Sequence, residues 1–227
     1  MASLYSNNLE SCVASNQLCK SFGIKISPNA RIVQIARNAG FDSLFIDLEH
    51  AWLTLAEASN LCNVGHLCGI TPFRVLDGGA MDGIFPHIHS ADDAKAAVRI
   101  SKYPPFGCRS MTGQLPIFGM RGTPVNQTIE FCNKSGSTVF AMIESKDAVD
   151  NAHGIAAVDG VDVILVGSMD LTIDLGSGGN FDGSEYRSSL EKISQACHEH
   201  GKIFGVAGVY DNPKFMLVQQ DASLIAV

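Results

Sequence analysis

Three apolar runs in this chain end abruptly in an acid or a histidine: LFIDLEH at 44–50, FAMIES at 140–145 and ILVGSMDL at 164–171. A strand buried on both faces reads as a continuous Val/Ile/Leu/Phe run, and a charge at its end is costly unless it has a partner or a task. Three such endings point to parallel strands whose ends bring Asp47, Glu49, His50, Glu144 and Asp170 to a shared mouth. In α/β barrels the working residues sit at the C-terminal strand ends.

Strand-like and helix-like segments alternate, the pattern of an α/β fold with a parallel sheet. Eight strands are expected, at 22–26, 44–47, 70–73, 83–88, 138–143, 161–167, 202–208 and 215–221. Helices are expected over 29–40, over TLAEASNLCNVGHLCG, from the capping Ser90 through ADDAKAAVRISKY, after SKDAVDN, and over SSLEKISQACHEHG, with Gly40 and Gly201 as stops. Residues 1–17 are polar and read as a loose leader, 18–227 as one domain, and the Pro/Gly-rich stretch 103–127 as a functional loop or lid. Only Val75–Asp82 separates the third and fourth strands, and the seventh and eighth lie about as close. A parallel crossover needs roughly a dozen residues. A TIM (β/α)8 barrel built on this chain therefore has its third and seventh helices shortened or missing, and the text ends without a final helix.

A formal net charge of −7, with 16 Lys and Arg and no basic run, argues against nucleic acid as partner. No apolar stretch reaches membrane-spanning length and the first residues lack a signal-peptide core, so no membrane partner and a cytoplasmic location are expected. Seven cysteines without a CxxC make structural disulfides or a zinc knuckle poor expectations.

Glu144 and Asp170 at neighbouring strand ends, with water, would make a hard oxygen site suited to Mg2+ or Mn2+; the plainer alternative is that they cap helices or pair with a lysine. The turn Gly167-Ser168-Met169-Asp170 can offer backbone N–H groups to a substrate carboxylate. In Asp47-Leu48-Glu49-His50 a histidine beside carboxylates suits general base work, against a simple surface loop. Arg74, at the end of the third strand, would stabilise developing negative charge or form a surface ion pair. His87 and His89 place two imidazoles on one side of an extended segment, a spacing zinc hydrolases use, though a structural role is the commoner outcome. His198-Glu199-His200 reads as solvated helix end. There is no GxSxG, P-loop or GxGxxG.

Taken together, IDLEH, LDGGAxxGIxPHI (76–88), YPPFGCRS (103–110), FAMIES and VGSMDL resemble the HpcH/HpaI aldolase family in order, from about Leu18 to the C-terminus, and in particular its fungal macrophomate synthase-like branch. The resemblance implies a divalent-metal (class II) pyruvate aldolase on a phosphoenolpyruvate/pyruvate-type barrel, assembled as a homo-oligomer. Glu144 and Asp170 match the ligands of Mg2+, with Mn2+ or Co2+ as substitutes. His50 matches the base and Asp77 the acid that partners it. Asp47 and Glu49 match acids that order water at the metal, and Gly167, Ser168 and Met169 match the turn that receives the pyruvate carboxylate. The substrates implied are a small 2-oxo acid and an aldehyde, joined or cleaved through a pyruvate enolate.

Two departures coincide with the short connections. The text reads TPFRVLDGGA where family members carry a further helical segment, leaving Arg74 either catalytic or structural, and NPKFM runs directly into LVQQDAS. Impaired activity is expected. The rival readings are a non-catalytic barrel paralogue that binds a 2-oxo acid or a partner subunit, and a zinc hydrolase using His87 and His89.

Overall fold

The apolar runs form strands, and every recorded strand pair is parallel. The computed structural model describes residues 5–73 and 76–209 together with the backbone of a strand at 224–226. In chain order the first elements are α1 (Asn8–Ala14), β1 (Cys19–Ile24), α2 (Arg31–Asn38), β2 (Ser43–Ile46), α3 (Leu55–Cys68), β3 (Thr71–Phe73), β4 (Asp82–Phe85), α4 (Ala91–Ser101) and α5 (Val125–Lys134). Then come β5 (Thr138–Ile143), α6 (Lys146–Asp150), α7 (Ala152–Ala156), β6 (Val163–Gly167), α8 (Ser168–Asp174), α9 (Ser184–His200), β7 (Ile203–Ala207) and β8 (Leu224–Ala226). The chain divides into two units, Met1–Gly83 with Arg99–Thr138, and Ile84–Val98 with Val139–Val227.

In the first unit β1, β2 and β3 pair in sequence, with Ile24 opposite Ile46 and Phe45 opposite Phe73. α3 covers them because its start and stop are both written locally. Thr54 accepts from the Glu57 amide while the Glu57 carboxylate accepts from the Thr54 amide, and Gly69 closes the helix in the left-handed conformation. Its Ala58, Leu61 and Cys62 join Leu44, Ile46 and Ile70 in one core.

Among the described residues of the short link after β3, 76–81 form a turn rather than a helix. Phe73 opposite Asp82 is the register recorded for β3 and β4. The turn between them is tied to α3, with the Ser59 hydroxyl donating to the Gly78 carbonyl at 2.8 Å and the His66 ring bonded to the Gly79 carbonyl. Arg74 and Val75 lie outside the described residues.

In the second unit β5, β6, β7 and β8 pair in sequence, with Ile143 opposite Val166, Gly167 opposite Ala207 and Phe204 opposite Leu224. All six residues of β5 and all five of β6 are buried, as unbroken apolar runs require. The strand expected at 215–221 lies outside the described residues.

Three expectations are corrected. Of the stretch 1–17 read as a loose leader, the described part contains α1, whose cap Asn7 accepts from the Leu9 amide and donates to the Ser135 carbonyl, and whose Leu9 is fully buried. Nor is 103–127 a lid throughout. Tyr103, Leu115, Ile117 and Phe118 pack with Met81 and Cys132, while Met111–Gln114 is exposed. The third correction is that α5 begins inside the stretch read as loop and runs on to Lys134, and α8 begins inside the turn read at 167–170 and runs on to Asp174. No helix among the described residues is long and apolar enough to cross a membrane.

Candidate active site

Register decides what stands beside each charged strand end. In the first unit Ile24 faces Ile46, so the residues that follow, Lys25 and Asp47, are neighbours. The Lys25 ammonium lies 3.2 Å from Asp47 Oδ2, while Asp47 Oδ1 accepts from the Glu49 and His50 amides at 2.9 Å each. Burial opposes ionisation of Asp47, but the two amides and Lys25 outweigh it and hold its carboxyl below the usual carboxylate value. Asp47 thus fixes the loop that carries Glu49 and His50, both of which are exposed.

Asp77 lies in the same unit, exposed, with its carboxylate 2.6 Å from the guanidinium of Arg109. Arg109 comes from the YPPFGCRS stretch, and its side chain is buried, with the guanidinium over the Tyr103 ring at 4.8 Å. Sequence reasoning named Asp77 but not Arg109, although the arginine lies inside a quoted motif.

The second unit holds the carboxylates read as metal ligands. Ile143 faces Val166, so Glu144 emerges beside Gly167. A Cβ on Gly167 would stand 2.7 Å from both Cγ and Oε1 of Glu144. Only glycine leaves room for this carboxyl group, which is why the apolar run of β6 ends in one. The Glu144 side chain is largely buried, and its Oε2 accepts from the His87 amide at 2.9 Å and lies 3.2 Å from His87 Nδ1.

Gly167 caps α8, whose first turn presents Ser168, Met169 and Asp170. Ser168 is buried and accepts a 2.7 Å hydrogen bond from the Tyr186 hydroxyl, whereas Met169 and Asp170 are exposed. Burial pushes the Tyr186 phenol up to about 12 against the Ser168 hydrogen bond, so it stays a donor. Gly208, at φ +89°, faces this turn: a Cβ there would lie 3.6 Å from the Met169 nitrogen and 3.8 Å from that of Ser168. Its left-handed backbone favours glycine there, and it places no side chain beside those amides.

The zinc pair is corrected. β4 ends at Phe85, and His87 has a left-handed backbone (φ 57°), so His87 and His89 do not project from one extended segment. His87 turns to Glu144 and His89 Nδ1 to the Ser145 hydroxyl at 3.1 Å. With one imidazole on Glu144 and the other on Ser145, the two-histidine arrangement of a zinc site is not formed. Lys25, Arg109 and Tyr186 are partners sequence reasoning missed, and His87, named there for zinc, was not paired with Glu144. Each of these pairings depends on register or on a distant element.

The profile of the HpcH/HpaI aldolase/citrate lyase family matches residues 62–224. The 4-hydroxy-4-methyl-2-oxoglutarate aldolase tasA of Hapsidospora irregularis is 48% identical, over 98% of this chain and 92% of its own. The corresponding aldolase cghB of Chaetomium globosum is 45% identical, over 97% and 91%. The tasA alignment spans 248 positions against the 227 residues of this chain, so the relative carries positions that this chain lacks. Among solved structures, an HpcH/HpaI aldolase from Desulfitobacterium hafniense superposes with a TM-score of 0.88 at 27% identity, over 96% of this chain and 88% of that one. Macrophomate synthase shares the fold, with a TM-score of 0.79 at 20% identity over 97% and 81%. The chain belongs to the HpcH/HpaI aldolase/citrate lyase family, the divalent-metal-dependent (class II) aldolases and lyases that act on 2-oxo acids.

Proposed function

We propose that this protein cleaves or forms the C3–C4 bond of a 4-hydroxy-2-oxo acid, on a single (β/α)8 barrel domain of the phosphoenolpyruvate/pyruvate type spanning 18–227. The names of the relatives tasA and cghB point to 4-hydroxy-4-methyl-2-oxoglutarate, whose second fragment is itself a 2-oxo acid rather than an aldehyde. The observation that carries this reading is the seat for Glu144: a buried carboxylate laid over the Cα of Gly167, one residue before the turn that bears Asp170.

Glu144 and Asp170 would hold Mg2+, with Mn2+ or Co2+ as substitutes. When bound, the cation supplies the charge that polarises the C2 keto group. The amides of Ser168 and Met169, beside which Gly208 places no side chain, receive the substrate carboxylate, and Tyr186 fixes Ser168 in place. His50, on the loop fastened by Asp47, takes the proton from the C4 hydroxyl, with Asp77 as the acid that partners it. The C3–C4 bond breaks, its electrons pass to C3 and the C2 oxygen as pyruvate enolate, and C3 is then protonated. Glu49 orders water at the site. The guanidinium that shares the enolate charge is Arg74 in this reading. We place the enzyme in the cytoplasm as a homo-oligomer.

One observation favours the rival paralogue: the relative is longer inside the aligned span. Retro-aldol assay on 4-hydroxy-4-methyl-2-oxoglutarate separates the two. Chelator treatment should abolish turnover and Mg2+ restore it, and Gly167→Ala, which displaces the Glu144 carboxyl, should lower kcat roughly 100-fold with the far-UV spectrum unchanged. Saturable pyruvate binding with no turnover would establish the paralogue instead.

A further inference from the structure

Cys12 on α1, Cys19 at the start of β1 and Asp42 just before β2 each present one ligand atom, and those atoms lie within 4.8 Å of one another. It is the one cluster of three such donors among the described residues. We propose that Cys12, Cys19 and Asp42 bind a soft divalent cation, Zn2+ by preference, as a structural clasp between α1 and the strands it covers. Its donors are unlike the all-oxygen set of Glu144 and Asp170, so the two sites sort metals by chemistry.

The backbone assembles the cluster. After α1 the chain reverses through Asn16 (φ 51°), with the Ser15 and Gln17 amides both donating to the Cys12 carbonyl at 3.1 and 2.8 Å. That turn lays Cys19 beside Cys12, seven positions earlier. Asp42 is locked to the same strand: its amide donates to the Lys20 carbonyl at 2.8 Å, and its Oδ2 accepts from the Lys20 amide at 2.9 Å. Its carbonyl accepts from Asn8 Nδ2 at 2.8 Å and from the Thr71 amide at 3.2 Å. The Cys19 sulfur also lies 3.7 Å from the Ser43 hydroxyl.

Zinc binds thiolate sulfur at about 2.3 Å and carboxylate oxygen at about 2.1 Å, so a tetrahedral site holds such atoms roughly 3.5–3.8 Å apart. Metal binding would draw the three donors from within 4.8 Å to that spacing by side-chain rotation. Two sulfurs select zinc over magnesium, which prefers oxygen and water. The half-exposed side of Cys12 leaves the fourth position to water. Burial, with the Asp42 charge, raises both thiols above their ordinary value, against the opposing Lys20 charge at Cys12 and the Ser43 hydrogen bond at Cys19. A bound dication would add positive charge at the three donors, and each thiol gives its proton to solvent as its sulfur–metal bond forms.

The full chain in excess Mg2+, titrated with Cd2+, should develop a thiolate–metal charge-transfer band that saturates at one ion per chain. Zn2+ should slow alkylation of Cys12 at least about tenfold, read by peptide mass, while exposed Cys108 reacts at an unchanged rate and serves as the internal control. Cys12→Ser should lose the band, and Asp42→Asn should weaken binding by at least about tenfold. If Cys12→Ser fails to fold, the alkylation of the unaltered chain decides alone. A band that persists in Cys12→Ser, Cys12 alkylation indifferent to Zn2+, or a Cys12–Cys19 disulfide in the isolated protein that binds no Cd2+ would each overturn the proposal.

Discussion

Asp47 divides its two oxygens between the loop it fastens and a lysine on the neighbouring strand. Its folded carboxyl is held below the ordinary value, so its contribution to stability is present above the unfolded carboxylate pKa of about 3.9 and is lost as pH falls through the folded value. Asp47→Asn should therefore denature at lower urea than the unaltered protein at pH 7, and the two midpoints should converge as the pH drops below about 4. A gap independent of pH would show that the Lys25 charge pairing adds nothing. The acid itself was legible in the sequence, as a charge closing an apolar run. Lys25 was not, because choosing it needs the β1–β2 register, and a slip of one residue would turn the side chain to the other face. The same holds for Gly167. The sequence displays a glycine before SMDL, while the reason for it, the Glu144 carboxyl 2.7 Å from where a Cβ would be, belongs to the pairing of β5 with β6.

Elements whose signals are local were readable, and those held by distant contacts were not. α3 announces itself through Thr54, Glu57 and Gly69, and β5 through six consecutive apolar or β-branched residues. α5 follows a Pro/Gly stretch and opens at Val125 with no side-chain cap bond, so its helical face, with Thr128 and Cys132 buried, emerges only in packing. α8 is one short helix of seven residues without a cap bond, set by the end of β6. α1 is the sharpest case. Its composition is that of a solvated leader, yet Asn7 and Leu9 are buried, and Asn7 donates to Asp82 and Ser135, more than sixty positions away. Leu9→Ala should cost about 2–5 kcal/mol in chemical denaturation. A change within experimental scatter would restore the loose-leader reading.

At the scale of the molecule, the chain is shorter than the span over which it aligns with its relative. The link from β3 to β4 is correspondingly tight, with one residue pair recorded in register. Inserting the relative's segments at the junctions after Phe73 and Met216 should raise kcat of the retro-aldol reaction, and equal turnover by both chains would refute the impairment. Hydrophobic runs, their charged endings and their order along the chain settled the α/β class, the parallel pairing and the family. These are local patterns, repeated, and burial on both faces of a strand leaves them no alternative spelling. Which groups meet was decided in three dimensions: Lys25 with Asp47, Arg109 with Asp77, His87 with Glu144, and the three donors Cys12, Cys19 and Asp42. Each of these meetings depends on strand register or on a chain reversal, and neither is written in the identity of the residues that meet.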